Sequence, residues 1–152
     1  MYVTQPHLNL YMMRKKLLIF MVAIFMIPSM AYSQEKTNSA FNWNKVIDAI
    51  IKVESKGNPK AFNPNGDCAG ILQITPGLVK QCNIWLKAKK SKKRYTLKDR
   101  YNVEKSKEMF IMVQKYYNPS NDIEKAIRIW NGGPGYTKKG TDGYYKKVMK
   151  NL

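Results

Sequence analysis

Histidine is almost missing from this chain of 152 residues. The single one, His7, precedes a segment that we expect to be removed from the mature protein. Catalytic arrangements of the Ser–His–Asp and Cys–His types need an imidazole, and histidine-ligated zinc sites need one as well. These classes of enzyme are therefore excluded for the mature chain.

Acidic residues are also scarce, since 10 Asp and Glu stand against 27 Lys and Arg and the formal net charge is +17. A positive field of this size attracts polyanions, although a lysine-rich surface also keeps a protein soluble without any partner. The densest basic cluster, Lys87–Arg94 (KAKKSKKR), has no interleaved aromatic residues on which bases would stack. We therefore predict a mobile, solvated loop there and no specific nucleic-acid partner.

Cysteine is limited to Cys68 and Cys82. In an oxidising compartment these two residues are compatible with a disulfide, and two unpaired buried thiols are the alternative. The sequence does not choose between them. Because two cysteines without further ligands make a poor metal site, we predict neither a metal nor another cofactor.

No apolar run is long enough to cross a bilayer comfortably. The most apolar one, Leu17–Met26, follows the basic residues 14–16 and precedes small residues that end at Ala31 or Ser33. This pattern is typical of a secretory signal peptide, with an uncleaved anchor as the alternative. We predict a periplasmic or secreted protein that has no stable membrane span after cleavage.

The remaining chain is predicted to be one mainly α domain. We assign residues 1–33 to an N-terminal extension and signal peptide, 34–41 to a flexible polar segment and 42–152 to the domain. A small loop or hairpin region is expected at about 57–70, where Gly, Pro, Asn and Asp are frequent. Five helices are predicted: about 42–55, Thr75-Pro76 to about Leu86, 102–117, 122–130 and 142–151. The expected caps are Asn42 for the first helix, Asp122 for the fourth and Asp142 for the last. Residues 87–101 are expected to form a basic connection.

One carboxylate stands in an unusual place. An apolar stripe recurs at helical spacing through Trp43, Val46, Ile47, Ile50 and Ile51, and Glu54 extends it. A half-buried carboxyl group has a raised pKa because burial disfavours its charged form, and a general acid near neutral pH needs such a pKa. The alternative is a glutamate at a frayed helix end, exposed to water and followed by Gly57 as the helix stop.

Two motifs point to one family. The first contains Glu54-Ser55, Asn58-Pro59, Ala61, Gly66 and the run Gly70–Pro76 (GILQITP), and the second is the run Ile129–Gly135 (IWNGGPG). In this order they resemble the lytic transglycosylases of the soluble (SLT) type, which belong to the lysozyme-like superfamily. The resemblance covers about residues 41–150. It implies a lysozyme-like helical domain that acts on the glycan strands of peptidoglycan.

The resemblance also implies a mechanism and a set of site residues. Such enzymes cleave the β-1,4 bond between N-acetylmuramic acid (MurNAc) and N-acetylglucosamine (GlcNAc) and form a 1,6-anhydro sugar with one glutamate as acid and base. By position, Glu54 becomes this residue. Ser55 is expected to hold the helix end beside the substrate, Gln73 to line the cleft, and Asn131 to bind sugar or fix its loop. Local turn chemistry is the alternative role of Gln73 and Asn131.

Two departures from the family pattern bear on the site. Trp130 stands where the family has a tyrosine whose hydroxyl is expected to touch the glutamate, and it binds substrate or simply completes the core. An extra residue in the loop places Asp67 near the expected cleft, where it would position a water molecule in a hydrolytic muramidase or merely form the turn. Tyr136 is a further candidate sugar contact, and Trp85, Tyr144 and Tyr145 are either sugar platforms or core residues.

Other functional classes remain as alternatives. A non-catalytic wall-binding component of an envelope machine would keep the fold without the activity. By analogy with small transglycosylases, a secretion, conjugation or phage machine is a candidate partner, and we expect a monomer. The free carboxylates of peptidoglycan, or an anionic envelope surface, fit the positive charge better than nucleic acid does.

Overall fold

The computed structural model describes residues 41–152. This part of the chain is mainly helical, as predicted, and its elements in chain order are α1 (Asn44–Glu54), β1 (Phe62–Asn63), β2 (Cys68–Ala69), α2 (Pro76–Ala88), a 3-10 helix (Leu97–Tyr101), α3 (Val103–Tyr117), α4 (Ile123–Gly132) and α5 (Lys138–Met149). The predicted signal peptide, and the predicted polar segment up to residue 40, lie outside the described residues. Within residues 41–152 no helix is both long and apolar enough to cross a membrane.

Polar side chains cap several helices where the sequence suggested it. The Oγ1 atom of Thr75 accepts a hydrogen bond from the backbone N–H of Leu78 at the start of α2, and Oδ1 of Asp122 accepts one from Lys125 at the start of α4. The predicted cap of the first helix, Asn42, is one residue too early. Trp43 occupies the cap position, while the Asn42 side chain accepts from the N–H of Asn44.

The predicted start of the last helix near residue 142 is wrong. α5 begins at Lys138, because Thr137 caps it by accepting a hydrogen bond from the N–H of Gly140 at 3.1 Å. Asp142 is therefore not a cap but lies inside the helix, where it pairs with Arg128 and Lys146. Gly140 and Gly143 have low helix propensity, so the first turns of α5 are not predicted from residue propensities.

The core lies between α1 and the later helices. The predicted stripe of α1 is buried, with Val46, Ile47 and Ile50 each at most 2% exposed. Helix α5 packs against both α4 and α1, and α3 packs against α2. The core residues run from Trp43 to Val148, so the described residues 41–152 form a compact unit with a hydrophobic core of its own. Burial of this apolar surface is the main favourable contribution to its folding.

The hairpin predicted at 57–70 is confirmed. β1 and β2 are antiparallel, with Phe62 opposite Ala69 and Asn63 opposite Cys68. At Gly70, where φ is +78°, the chain passes so close to the 3-10 helix that a Cβ atom would lie 1.7 Å from the carbonyl oxygen of Arg100. Only glycine fits this contact, which fixes the hairpin against the rest of the domain.

The basic connection between α2 and α3 consists of the solvated cluster 87–94 that we predicted and a partly buried remainder. Residues 87–94 are almost all exposed, but Tyr95 and Arg100 are 4% and 5% exposed. The side-chain amide of Asn83 donates to the carbonyl of Tyr95 and accepts from its N–H, both at 2.8 Å. These two bonds hold the end of the connection against α2.

Candidate active site

A cleft of about 550 Å³ opens beside the C-terminal end of α1. The hairpin, the start of α2, α3 and the turn after α4 form its other walls. Five of the candidate residues named from the sequence line it together: Glu54, Gln73, Trp85, Trp130 and Asn131. The two sequence motifs therefore meet in space although they are far apart in the chain.

Glu54 is the last residue of α1 and is half-buried. Its Oε1 atom accepts a hydrogen bond of 2.6 Å from the hydroxyl of Tyr144. Burial raises the pKa of Glu54 above the ordinary value of 4.5, and the bond from Tyr144 opposes this rise without cancelling it. The half-buried environment predicted for this carboxyl group is confirmed.

The hydroxyl beside Glu54 is supplied by α5 rather than by the residue at position 130. Burial and the charge of Glu54 raise the pKa of Tyr144, so the phenol keeps its proton and remains a hydrogen-bond donor. The sequence indicates Tyr144 only as a sugar platform or core residue. Its spacing from Thr141 and Val148, which are both buried, indicates an inward face of α5 but not the contact with Glu54.

Trp130 takes part in both the core and the cleft. Its ring centre lies 5.1 Å from that of Phe110, and its side chain is half-buried. The same residue forms part of the cleft wall. Trp130 therefore gives the cleft an aromatic wall, while the hydroxyl bonded to Glu54 comes from Tyr144.

Gln73 and Asn131 line the cleft from different elements, one in the loop after the hairpin and one near the end of α4. The side-chain amide of Gln73 donates to the carbonyl oxygens of Gly70 and Ala61, at 3.0 and 3.4 Å. Gln73 thus fixes its loop and lines the cleft at once. Asn131 is exposed and available to a ligand.

Ser55 and Tyr136, two of the predicted substrate-binding residues, do not line the cleft. The hydroxyl of Ser55 donates to the carbonyl oxygen of Ile71 at 2.9 Å, so it ties the end of α1 to the loop before Gln73, as the resemblance implied. Tyr136 packs half-buried against the core. Both residues support the cleft from outside it.

Asp67 does not join Glu54 in the cleft. Its carboxylate lies 3.1 Å from Nη1 of Arg100 and its side chain is 52% exposed, whereas the side chain of Arg100 is only 6% exposed. The same guanidinium also donates to the backbone carbonyl of Ile74 at 3.2 Å. Among residues 41–152, Glu54 is the one acidic residue that lines the cleft.

Of the two alternatives left open for Cys68 and Cys82, the structure has the free thiols and not the disulfide. Cys82 is fully buried in the core, whereas Cys68 lines the cleft, so the two face different environments. Burial raises the pKa of Cys82 to about 12. Burial also raises the pKa of Cys68, and the negative charges of Glu54 and Asp67 add to the effect. In the described part of the chain, no group of three or more His, Cys, Asp or Glu residues is placed to hold a metal ion.

Comparison with known proteins adds one finding to this geometry. The model of the family described as "Transglycosylase SLT domain" matches residues 31–152. No curated protein and no solved structure matches the chain. The matched range includes every residue of the cleft.

Proposed function

The chain belongs to the transglycosylase SLT domain family, and we propose that it is a peptidoglycan lytic transglycosylase with Glu54 as its single acid and base. It would cleave the bond between MurNAc and GlcNAc and leave a 1,6-anhydro-MurNAc end. The observation that carries this proposal is the position of Glu54. It lines the cleft without a second acidic residue, and burial raises its pKa.

In the first step Glu54 acts as a general acid. Burial raises its pKa, which shifts the carboxyl group toward the protonated form that a general acid needs. The bond from Tyr144 occupies Oε1, and no hydrogen bond within residues 41–152 engages Oε2. Oε2 is thus the atom that would give its proton to the leaving O4 of GlcNAc while the bond from that oxygen to C1 of MurNAc breaks.

In the second step the same residue acts as a base. The resulting carboxylate takes the proton of the C6 hydroxyl of MurNAc, and the C6 oxygen closes onto C1. Glu54 is thereby protonated again, so no water is consumed. Most glycosidases use two carboxylates, but substrate groups replace one of them in some families. The acetamido group of MurNAc would take this part here, in agreement with the single acid of the cleft.

Tyr144 acts on Glu54 rather than on the sugar. A hydrogen bond to a charged oxygen is stronger than one to a neutral oxygen. The phenol therefore orients the carboxyl group in its protonated form and stabilises the carboxylate that exists between the two steps. Gln73, Trp130 and Asn131 would contact the glycan strand, since all three line the cleft.

The test uses residues 34–152, which contain the whole compact unit with its core. The protein is incubated with purified peptidoglycan sacculi, and the released fragments are measured by mass spectrometry beside a Glu54→Gln control. We expect fragments one water lighter than hydrolysed sugars, and none from the control. Asp67→Asn should release the same anhydro fragments at a rate close to wild type, because the Asp67 side chain lies outside the cleft.

Other products would contradict the proposal in distinct ways. Reducing-end products that disappear in Asp67→Asn would identify a hydrolytic muramidase. Sacculus binding without release of fragments would leave a wall-binding component of an envelope machine. Action on peptidoglycan is the family's activity, and the predicted signal peptide would carry this chain to the envelope, in the periplasm or outside the cell.

A further inference from the structure

The segment from α2 into the basic connection contains no acidic residue. Between residues 76 and 98 the sequence has eight Lys or Arg and no Asp or Glu. Within the described residues, Lys80 and Lys87 on the exposed side of α2 form no ion pair, in contrast to Lys93, which pairs with Glu108 at 2.6 Å. This segment therefore presents positive charge that the domain itself does not neutralise.

An apolar groove lies within this positive segment, with a volume of about 480 Å³. Two large hydrophobic residues in it, Ile84 and Leu97, are each 50% exposed. Lys80, Lys87 and Arg94 also line the groove, and no acidic residue does. Apolar residues that share one exposed groove with a polar rim mark a candidate interaction surface, whereas isolated ones do not.

The groove is held in shape by the domain. Ile84 belongs to α2 and Leu97 to the 3-10 helix, so an internal connection must bring them together. Two hydrogen bonds between Asn83 and Tyr95, both 2.8 Å long, link the two elements. The Tyr95 side chain is buried. A partner therefore meets a preformed surface and does not have to order a loop first.

The groove and the cleft use different sides of α2. Leu78 and Gln81 line the cleft, whereas Lys80, Ile84 and Lys87 line the groove. With 3.6 residues in each helical turn, the mean directions of these two sets differ by about 120° around the helix axis. A large partner seated on the groove would leave the cleft open to a glycan strand.

We propose that this groove is a docking surface for a membrane that contains anionic lipids. Ile84 and Leu97 would enter the interface between headgroups and acyl chains, while Lys80, Lys87 and Arg94 contact the phosphates. Long lysine side chains can bury their aliphatic parts and keep the charge at the headgroups. Apolar insertion combined with basic residues is how peripheral proteins bind anionic bilayers. The inference does not rest on the proposed catalytic activity.

The experiment measures co-sedimentation of residues 34–152 with vesicles, because this form omits the predicted signal peptide, whose apolar run would itself bind lipid. Vesicles of phosphatidylcholine alone are compared with vesicles that also contain phosphatidylglycerol. We expect binding to the anionic vesicles only, and weaker binding at higher salt. The double variant Ile84→Ser with Leu97→Ser should bind roughly tenfold less, since both apolar contacts are lost.

A second pair of variants tests the charges at equal net charge. Lys80→Gln with Lys87→Gln should reduce vesicle binding roughly tenfold. Lys45→Gln with Lys52→Gln changes two exposed lysines of α1 instead and should leave binding near wild type. Circular dichroism and melting temperature show that each variant is folded.

Three results would overturn the inference. The first is no binding of the folded wild type to anionic vesicles. The second is an equal loss in both lysine pairs, which would show diffuse attraction without a docking surface. The third is binding to poly-L-glutamate through the same side chains without binding to vesicles, which would identify an acidic protein segment as the partner.

Discussion

Replacing Tyr144 by phenylalanine removes one oxygen atom from the site and keeps the ring. The lost bond is the 2.6 Å donation to Oε1 of Glu54. Two effects oppose each other in the wild type, because burial raises the pKa of Glu54 and this bond lowers it. Without the bond, the effect of burial remains alone, and the pKa of Glu54 rises further.

The expected loss of rate follows from the strength of the bond. Hydrogen bonds to charged groups contribute about 1.5–3 kcal/mol, so the carboxylate formed after proton transfer loses about that much stabilisation. This corresponds to a fall in the rate of anhydro-muropeptide release of roughly 10- to 100-fold. The general acid must be protonated, so activity decreases as the pH rises through its pKa. The basic limb of the pH profile should therefore move to higher pH in Tyr144→Phe.

The assay is the initial rate of muropeptide release from sacculi, measured across pH for wild type, Tyr144→Phe and Tyr145→Phe. Tyr145 is the matched control, because its ring lies 4.4 Å from the guanidinium of Arg128 and no hydrogen bond from its hydroxyl is formed within the described residues. Tyr145→Phe should keep both the rate and the pH limb. A wild-type rate with an unshifted limb in Tyr144→Phe would refute the role that we assign to Tyr144.

Further predictions concern stability and the thiols. The folded state prefers protonated Glu54, so its contribution to stability is complete below the ordinary pKa of 4.5 and is lost as the pH rises through the folded-state pKa. Glu54→Gln should therefore melt at a higher temperature than wild type at pH 8 but not at pH 4, and equal differences at both pH values would contradict this. Gly70→Ala should destabilise the domain by roughly 3 kcal/mol or more in urea unfolding, because its Cβ would clash with backbone. Gly57→Ala, with φ at +85° but open space around it, should cost only about 1 kcal/mol, and equal losses would refute the clash. A thiol reagent at pH 8 should modify Cys68 in the native protein and leave buried Cys82, with its pKa of about 12, unmodified until the chain unfolds, whereas rapid reaction of both would show that Cys82 is not shielded.

Periodic and local signals in the sequence predicted most of the fold. The apolar stripe that ends at Glu54 is buried, and the caps at Thr75 and Asp122 are formed, because each depends only on residues within one or two helical turns. Helix α5 shows the limit of this reasoning. The cap at Thr137 outweighs the low helix propensity of Gly140 and Gly143. The predicted start of α5 is therefore too late.

The site was predictable where a motif marks it and not where distant elements meet. The two motifs indicated Glu54, Gln73 and Asn131, and all three line the cleft. The contact between Glu54 and Tyr144 joins residues 90 positions apart, and no local pattern specifies such a pair. The environment of Asp67 depends in the same way on Arg100, a buried cation from another element.

The contact between α1 and α5 also has a consequence for the order in which the protein gains its activity. The entropy of loop closure opposes contacts between residues far apart in sequence, so we expect this contact to be completed late in folding. Until α5 docks, Glu54, the general acid that we propose, lacks its hydrogen bond from Tyr144. Recovery of glycan cleavage during refolding should therefore lag behind recovery of the helical circular dichroism signal. On the ribosome, the same order would keep the nascent chain inactive until its C-terminal helix has emerged and docked.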